Sequence, residues 1–246
     1  MITISIVSHL QAALVADLLR DIELHCKSPP AQVILTVNVE EPLGCRPEDF
    51  SFALEIIRNP ARRGFGANHN AAFRRAAGRY FCVLNPDVRI GGNPFPPLLE
   101  TLADVSVGAV SPLVLDPDGA IEDHARRFPR AATLLRKALL GERQDYPDLG
   151  GSARSVEWIA GMFMLFRSAV FRAVGGFDER YFLYYEDVDL CARLRAAGYD
   201  IRVEPSARVV HDARRESRRN VRRMARHLIS MSRYLLTRPK SLPPLD

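Results

Sequence analysis

The feature that most constrains this chain is a change of hydrophobic period, repeated several times over its first ~90 residues. Ile2-Thr3-Ile4-Ser5-Ile6-Val7 alternates apolar and polar side chains, the pattern of a strand with one buried face. Leu10, Leu14, Leu18 and Ile22 then recur every four positions, a helical stripe that Pro29-Pro30 ends by withholding backbone donors. Val33-Ile34-Leu35-Thr36-Val37 and Leu54-Glu55-Ile56-Ile57 are short strands. Gly64-Phe65-Gly66 opens a second helix carrying Ala67, Ala71, Ala72 and Ala76, and Tyr80-Phe81-Cys82-Val83-Leu84 is a strand that stops at Asn85-Pro86-Asp87. Strands that alternate with helices build βαβ units, because a parallel return needs a long crossover. The expectation is an α/β fold with a mainly parallel central sheet flanked by helices, and ligands at the carboxyl ends of its strands.

The second half is less regular. Val107–Leu115 reads as a strand and Asp116-Pro117-Asp118-Gly119 as a turn into a hairpin. Arg130–Gly141 is expected to be helical, Asp145–Arg154 a polar, glycine-rich loop, and Trp158–Arg167 buried. Glu186–Ala197 has Leu190, Leu194 and Ala197 on one helical face and Gly198 as its stop, and Arg214–Leu236 is a long final helix. No linker or repeat divides the chain. With 47 % hydrophobic and 26 % charged residues, the composition is that of a folded globular chain rather than a disordered one.

Other classes fall away on composition. The four cysteines, Cys26, Cys45, Cys82 and Cys191, form no CxxC pair, so no zinc ribbon or dithiol site is readable, and their sparse use fits a reducing compartment. No run approaches the ~18 apolar residues of a membrane span, and the start, Met-Ile-Thr-Ile-Ser-Ile, has no basic n-region, so neither secretion nor membrane spanning is expected. A cytoplasmic location follows as the expectation. The net charge of +5 is local: Arg214 to Arg226 holds seven arginines and one glutamate, so the rest of the chain sums to −1. Attraction to an anionic partner must come from that segment. Its arginines repeat at i+4 opposite an apolar stripe of Val221, Met224, Ala225, Leu228, Met231 and Leu235. Such a helix can pack on its own domain or lie on anionic lipid. Nucleic acid is not expected as a partner, because only Tyr234 offers a stacking ring among the arginines.

Three places carry candidate chemistry. Asp87, at a strand's carboxyl end behind a rigid proline, is placed to meet a divalent cation on a diphosphate; the same Asn-Pro-Asp also makes an ordinary turn. Glu186-Asp187-Val188-Asp189 puts three acids in one helical turn, where they complement the helix dipole or raise one another's pKa to make a general base. The aromatics before it, Tyr181, Phe182, Tyr184 and Tyr185, offer the wall of a sugar-sized pocket. His211, after Val209-Val210, is either a structural histidine or a metal ligand beside Asp87.

Taken in order, these segments resemble glycosyltransferase family 2, in its rhamnosyltransferase-like branch. The resemblance is carried by Asn59 with Gly64-Phe65-Gly66-Ala67-Asn68-His69-Asn70, by Leu84-Asn85-Pro86-Asp87, and by Trp158-Ile159-Ala160-Gly161. It is strongest from Gly175 to Leu190 and ends with Pro205 and His211. It implies a GT-A-type nucleotide-diphospho-sugar transferase fold over residues 1–213, with a donor half to about 115 and an acceptor half beyond it. Residues 214–246 would be a basic amphipathic helix and tail. It also implies an inverting, metal-dependent sugar transfer in which Asp187 is the base and Asp87 and His211 hold Mg²⁺ or Mn²⁺. Asn38, Asn70, Asn85 and Asp87 would meet the nucleotide sugar, and Trp158 and Glu186 the acceptor. The donor implied is dTDP-rhamnose and the acceptor a saccharide or lipid-linked saccharide of a bacterial surface polysaccharide, with peripheral contact at the inner face of the cytoplasmic membrane. A nucleotidyltransferase, or a binding module without catalysis, would share much of this pattern. The sequence departs from the family at Ser8-His9-Leu10, at Val37 before Asn38, and at Asn85, which stands in place of an acid.

Overall fold

The computed structural model describes residues 1–27, 31–130, 149–212 and 221–239. Strands β1 (Ile2–Ser8), β2 (Ala31–Val37), β3 (Ala53–Arg58) and β4 (Tyr80–Leu84) alternate with helices α1 (Ala12–His25) and α2 (Phe65–Phe73). Then come β5 (Val88–Arg89), α3 (Phe95–Thr101), β6 (Val107–Leu115), β7 (Ala125–Arg126), β8 (Arg154–Ser155), β9 (Trp158–Ile159) and β10 (Phe163–Arg167). The chain continues through α4 (Ser168–Ala173), α5 (Glu186–Ala196), β11 (Asp200–His211) and α6 (Val221–Thr237). The expected helix at 130–141 and the start of the final helix, 214–220, lie outside the described residues apart from Arg130.

One sheet runs β3-β2-β1-β4-β10-β6-β11-β5, with β8 also paired to β11, and β7 and β9 form a separate ribbon. β1 is parallel to β2 and β4, and β2 to β3. β10 is antiparallel to both β4 and β6, and β6 is parallel to β11. A strand reversed between two neighbours leaves those neighbours co-directional. The carboxyl ends of β1, β2, β3, β4, β6 and β11 therefore share one edge of the sheet, and the chain enters β10 from that same edge. Candidate residues far apart in sequence are gathered there by this topology.

Both faces of the sheet are covered. Ile2, Ile4, Ile6, Leu18, Leu19 and Phe95 belong to the core on the α1 and α3 side, while Phe81, Phe166, Phe171, Tyr181, Leu190 and Tyr234 belong to the core on the other. This corrects the reading of β1 as half-buried: Thr3 and Ser5 are fully buried too. They are tolerated because each is hydrogen-bonded, Thr3 Oγ1 donating to Gln32 Oε1 at 2.7 Å and Ser5 Oγ lying 2.8 Å from His69 Nδ1.

Helix limits differ from the expectation in two places. Leu10 lies before α1, with φ of 62° and an exposed side chain, so the buried stripe is Val15, Leu18, Leu19 and Ile22. The buried Glu41 carboxylate supplies the missing cap, accepting from the backbone N–H of Leu10, Gln11 and Ala12 and from Ser8 Oγ. Helix α2 ends at Phe73, short of Ala76. Gly198 ends α5 as expected, with φ of 84°; its N–H reaches Arg195 O while Tyr199 N–H reaches Leu194 O, the paired bonds of a Schellman turn.

Candidate active site

Asp187 stands in the first turn of α5. Its Oδ2 accepts from Gly161 N–H at 3.1 Å and its Oδ1 from Val188 N–H at 2.8 Å. Burial pushes its carboxyl pKa up, while these two donors and the charge of Arg126 pull the other way; the net direction is upward. Glu186 beside it is 5 % exposed, and its Oε2 has no hydrogen-bond partner. Burial and the neighbouring Asp187 charge drive the Glu186 carboxyl well above the usual carboxylate range. The two acids thus divide: Asp187 has donors that favour its charged form, and Glu186 is favoured as the neutral acid. A pair separated in this way is what acid–base chemistry requires. Asp189, the third acid, is buried as well, and its Oδ2 accepts from Arg193 Nε at 2.8 Å.

The turn that delivers α5 is strained. Tyr184 and Tyr185 have φ of 71° and 67°, left-handed backbone in two consecutive non-glycine residues. Such conformations cost on the order of 1–3 kcal/mol each and persist where surrounding contacts fix them. Two of the four rings do not wall a sugar pocket as expected, whereas Phe182 and Tyr184 are half-buried. Tyr181 and Tyr185 are buried in the core, because the left-handed turn swings the segment back against α6.

The second group is built at the end of β4. Asp87 Oδ2 lies 3.4 Å from His211 Nε2, at the end of β11, and the backbone N–H of Asp212 donates to Asp87 O at 2.9 Å. Burial lowers the His211 pKa, but the Asp87 contact and the charges of Asp87 and Glu122 outweigh it and raise the value. Glu122 approaches from the hairpin behind β6, its Oε1 3.6 Å from His211 Nδ1, too long for a hydrogen bond. Asp87 Oδ1 and His211 Nδ1 are buried without hydrogen-bond partners.

Two consecutive residues tie these groups together. Gly161 N–H holds the Asp187 carboxylate, and Met162 O accepts from Asn85 N–H at 2.9 Å, two residues before Asp87. Adjacent Cα atoms are about 3.8 Å apart, so both acidic groups hang from one short piece of backbone. Gly161 leaves little room: a Cβ there would lie 3.0 Å from the tip of the Phe65 ring, which would have to shift by a few tenths of an ångström, and 4.0 Å from Asp187 Oδ2.

The asparagines are engaged inside the protein. Asn38 Oδ1 accepts from Arg63 N–H at 2.8 Å and Asn59 Nδ2 at 3.0 Å, and its Nδ2 donates to Arg63 O at 3.0 Å. Asn70 spans α2 and the loop before α5: Nδ2 donates to Phe177 O at 2.8 Å and Oδ1 accepts from Phe177 N–H at 2.9 Å. Both shape the rim of the carboxyl edge. Trp158, on β9 opposite Arg126 of β7, is half-buried and donates Nε1–H to Arg127 O at 3.0 Å.

This arrangement can be set beside known proteins. Residues 3–230 match the family described as "Glycosyltransferase like family 2". The chain belongs to that family. It is 34 % identical over 185 residues to rhamnosyltransferase WbbL of Escherichia coli K12, covering 70 % of each chain. It is 40 % identical over 141 residues to N-acetylglucosaminyl-diphospho-decaprenol L-rhamnosyltransferase of Mycobacterium tuberculosis, covering 52 % of this chain and 45 % of that protein. The chain thus spans under half the length of the mycobacterial relative. Among solved structures, a mannosyltransferase of Pyrobaculum calidifontis in complex with GDP-Man and Mn²⁺ superposes with a TM-score of 0.66 at 19 % identity, over 99 % of this chain and 66 % of that one. GalNAc-T7 with UDP, GalNAc and Mn²⁺ gives 0.68 at 15 % identity, over 94 % and 47 %. At such identities the likeness is one of fold, and it makes the fold of this family 2 chain GT-A.

The donor set of the family 2 chain suits a divalent cation. Among the described residues, no three His, Cys, Asp or Glu side chains gather into a cage. One carboxylate with an orphaned oxygen and one imidazole leave most coordination positions open, as for a cation shared with a diphosphate and water. Sequence reasoning missed Glu122, and it singled out Gly161 only within Trp158-Ile159-Ala160-Gly161, without a role. Glu122 is legible only as an acid just past the turn residues, and Gly161 acts through its backbone donor, which has no side-chain signature.

Proposed function

We propose that this family 2 chain is an inverting glycosyltransferase that moves rhamnose from dTDP-rhamnose to a saccharide or lipid-linked acceptor in bacterial surface-polysaccharide assembly. The observation that carries the reading is the Gly161–Met162 link between the Asp187 carboxylate and the turn of Asp87. It supports the reading because it ties the Asp187 carboxylate and the turn carrying Asp87 to one short piece of backbone at one edge of the sheet. The choice of sugar and of a lipid-linked acceptor is supported by the names of the relatives, an O-antigen chain rhamnosyltransferase of Salmonella anatum at 30 % identity among them.

In the reaction so read, the acceptor oxygen attacks the anomeric carbon from the side of Asp187. The new C–O bond forms as the bond from that carbon to the diphosphate oxygen breaks, and the electron pair leaves with the nucleoside diphosphate. The acceptor proton passes to Asp187, whose raised pKa brings its basicity closer to neutral pH. Neutral Glu186 keeps a second negative charge away from Asp187 and acts in this reading on the acceptor side. Asp87 and His211 would hold Mg²⁺ or Mn²⁺, which when bound supplies charge neutralisation at the departing diphosphate. Trp158 offers an apolar face on the acceptor side. Asn38, Asn70 and Asn85 act in this reading on donor binding, the first two by shaping the loops around it.

The test is a panel of nucleotide sugars incubated with the chain and Mn²⁺, with products resolved by chromatography. Release of dTDP from dTDP-rhamnose is expected, and chelation by EDTA abolishes it. Release of pyrophosphate would instead identify a nucleotidyltransferase, and binding without turnover of any donor would identify a non-catalytic module.

A further inference from the structure

Helix α6 has two apolar faces, and only one of them is used by the fold. Tyr234 is fully buried in the core, with Ser230 buried and Met231 and Leu235 packed against it. Met224, Leu228, Ile229 and Leu236 point to solvent at 58, 49, 63 and 86 % exposure. They are four of the nine large exposed hydrophobics among the described residues, concentrated on one 17-residue helix. The stripe read from sequence therefore splits: Met231 and Leu235 face the protein, whereas Met224 and Leu228 do not. The helix has four arginines and no acid, and the segment from Arg214 to Arg226 carries six net positive charges.

The used face grips one piece of chain. Ser230 Oγ donates to Leu183 O at 2.9 Å; Tyr184 and Tyr185 meet the His227 ring edge-on at 5.4 and 5.3 Å; Arg226 lies over Phe182 at 4.8 Å. Arg233 covers Tyr181 at 5.8 Å, and Tyr234 packs on Tyr185 at 5.6 Å. All five residues from 181 to 185 touch this helix, and the last two are the left-handed pair that aims Glu186 and Asp187.

We propose that α6 lies flat on an anionic lipid bilayer through Met224, Leu228, Ile229 and Leu236, and that this contact firms its grip on the 181–185 turn and so positions Asp187. The positioning clause rests on the reading of Asp187 as the base. Lipid is the occupant because a helix with four exposed apolar side chains also carries four arginines and no acid. An interfacial helix buries the first in the acyl boundary and pairs the second with anionic headgroups. A polyanion such as nucleic acid would engage the arginines and leave the apolar side chains in water. Among the described residues no helix is long and apolar enough to cross a membrane.

The full chain is sedimented with vesicles of phosphatidylcholine alone and of two parts phosphatidylcholine to one part phosphatidylglycerol. Partition onto the anionic vesicles is expected to be at least about tenfold stronger. A triple variant, Leu228→Ser with Ile229→Ser and Leu236→Ser, keeps the parent's melting temperature, since these side chains face solvent, and loses that binding. Hydrogen exchange of amides 181–188 slows when the parent meets anionic vesicles and is unchanged in the variant. Equal binding to both vesicle types, binding that survives the triple substitution, or exchange at 181–188 indifferent to vesicles would overturn the proposal. A variant still bound to vesicles but released by added nucleic acid would point to charge alone, and overturns it too. Neither readout uses sugar transfer, so its failure and a failure of donor turnover are separate results.

Discussion

Asp187 and Glu186 show how neighbouring identical chemistry is divided by local donors. Two backbone N–H groups hold the Asp187 carboxylate, whereas Glu186 keeps an oxygen without a partner in a buried setting. Substituting Asp187→Asn preserves shape and removes the proton acceptor. Transfer is expected to fall roughly 10²–10⁴-fold, with the donor dissociation constant unchanged by calorimetry. A variant retaining more than about a tenth of parental turnover would remove Asp187 from the base role. His69 illustrates the stability side. Buried between Ser5 and the Phe65 and Phe177 rings, its pKa is pushed down to about 3 by burial. An unfolded histidine protonates near pH 6.5, so between those values the unfolded chain binds the extra proton and stability falls as pH falls. One such group contributes a slope of about 1.4 kcal/mol per pH unit well inside the window. His124 is lowered by burial in the same direction and His211 is raised in the opposite one, so the informative quantity is a difference. Urea unfolding of parent and His69→Gln from pH 7 to 4.5 is expected to show a slope shallower by about one proton in the variant.

At the scale of elements, the carboxyl edge is held in shape by amide clamps. Asn70 joins α2 to the Gly175–Phe177 loop through donor and acceptor together, and Gly176, with φ of 66°, has space for no side chain beside Asn70 Oδ1. Asn70→Ala is expected to cost roughly 1–3 kcal/mol, because it strands the Phe177 amide groups. In a chain of this size that lowers the melting temperature by about 2–4 °C per kcal/mol. An unchanged melting temperature with weakened nucleotide affinity would instead make Asn70 a direct ligand. Elements whose period is unbroken were legible in the sequence: β2, β4, β6 and α5 fall within a residue or two of their expected limits. Strand β11 was not, although its buried positions alternate without a break from Ile201 to His211: Pro205 reads as a strand breaker, and it sits where the register against β6 slips, between Glu204 and Arg208. Strand β10 was hidden inside a longer apolar run, and β5 is two residues long. The acids of the site were readable because side-chain chemistry marks them. The groups that orient those acids, Gly161 N–H and the left-handed tyrosines, were not, because a backbone donor or dihedral is set by tertiary contact.

Across the whole molecule, the sheet interleaves the two ends of the sequence. β10, from the second half of the sequence, sits between β4 and β6, and β11, also from that half, carries His211 to Asp87. Neither half has a complete edge alone, and a ligand on that edge bonds to both at once. Such a ligand stabilises the folded state by RT ln(1 + [L]/Kd), about 2.7 kcal/mol at a hundred times Kd. For a chain of 246 residues this corresponds to a rise of roughly 5–10 °C in melting temperature. If the cation bridges protein and diphosphate, dTDP and Mn²⁺ together should raise the melting temperature by more than the sum of their separate effects, since each completes the other's site. Asp87→Asn should abolish that excess; because the substitution also weakens the contact of Asp87 Oδ2 with His211, the excess is read against the variant's own unliganded melting temperature. Strict additivity in the parent, or a full excess in Asp87→Asn, would separate the cation from Asp87 and leave the diphosphate held by protein groups alone.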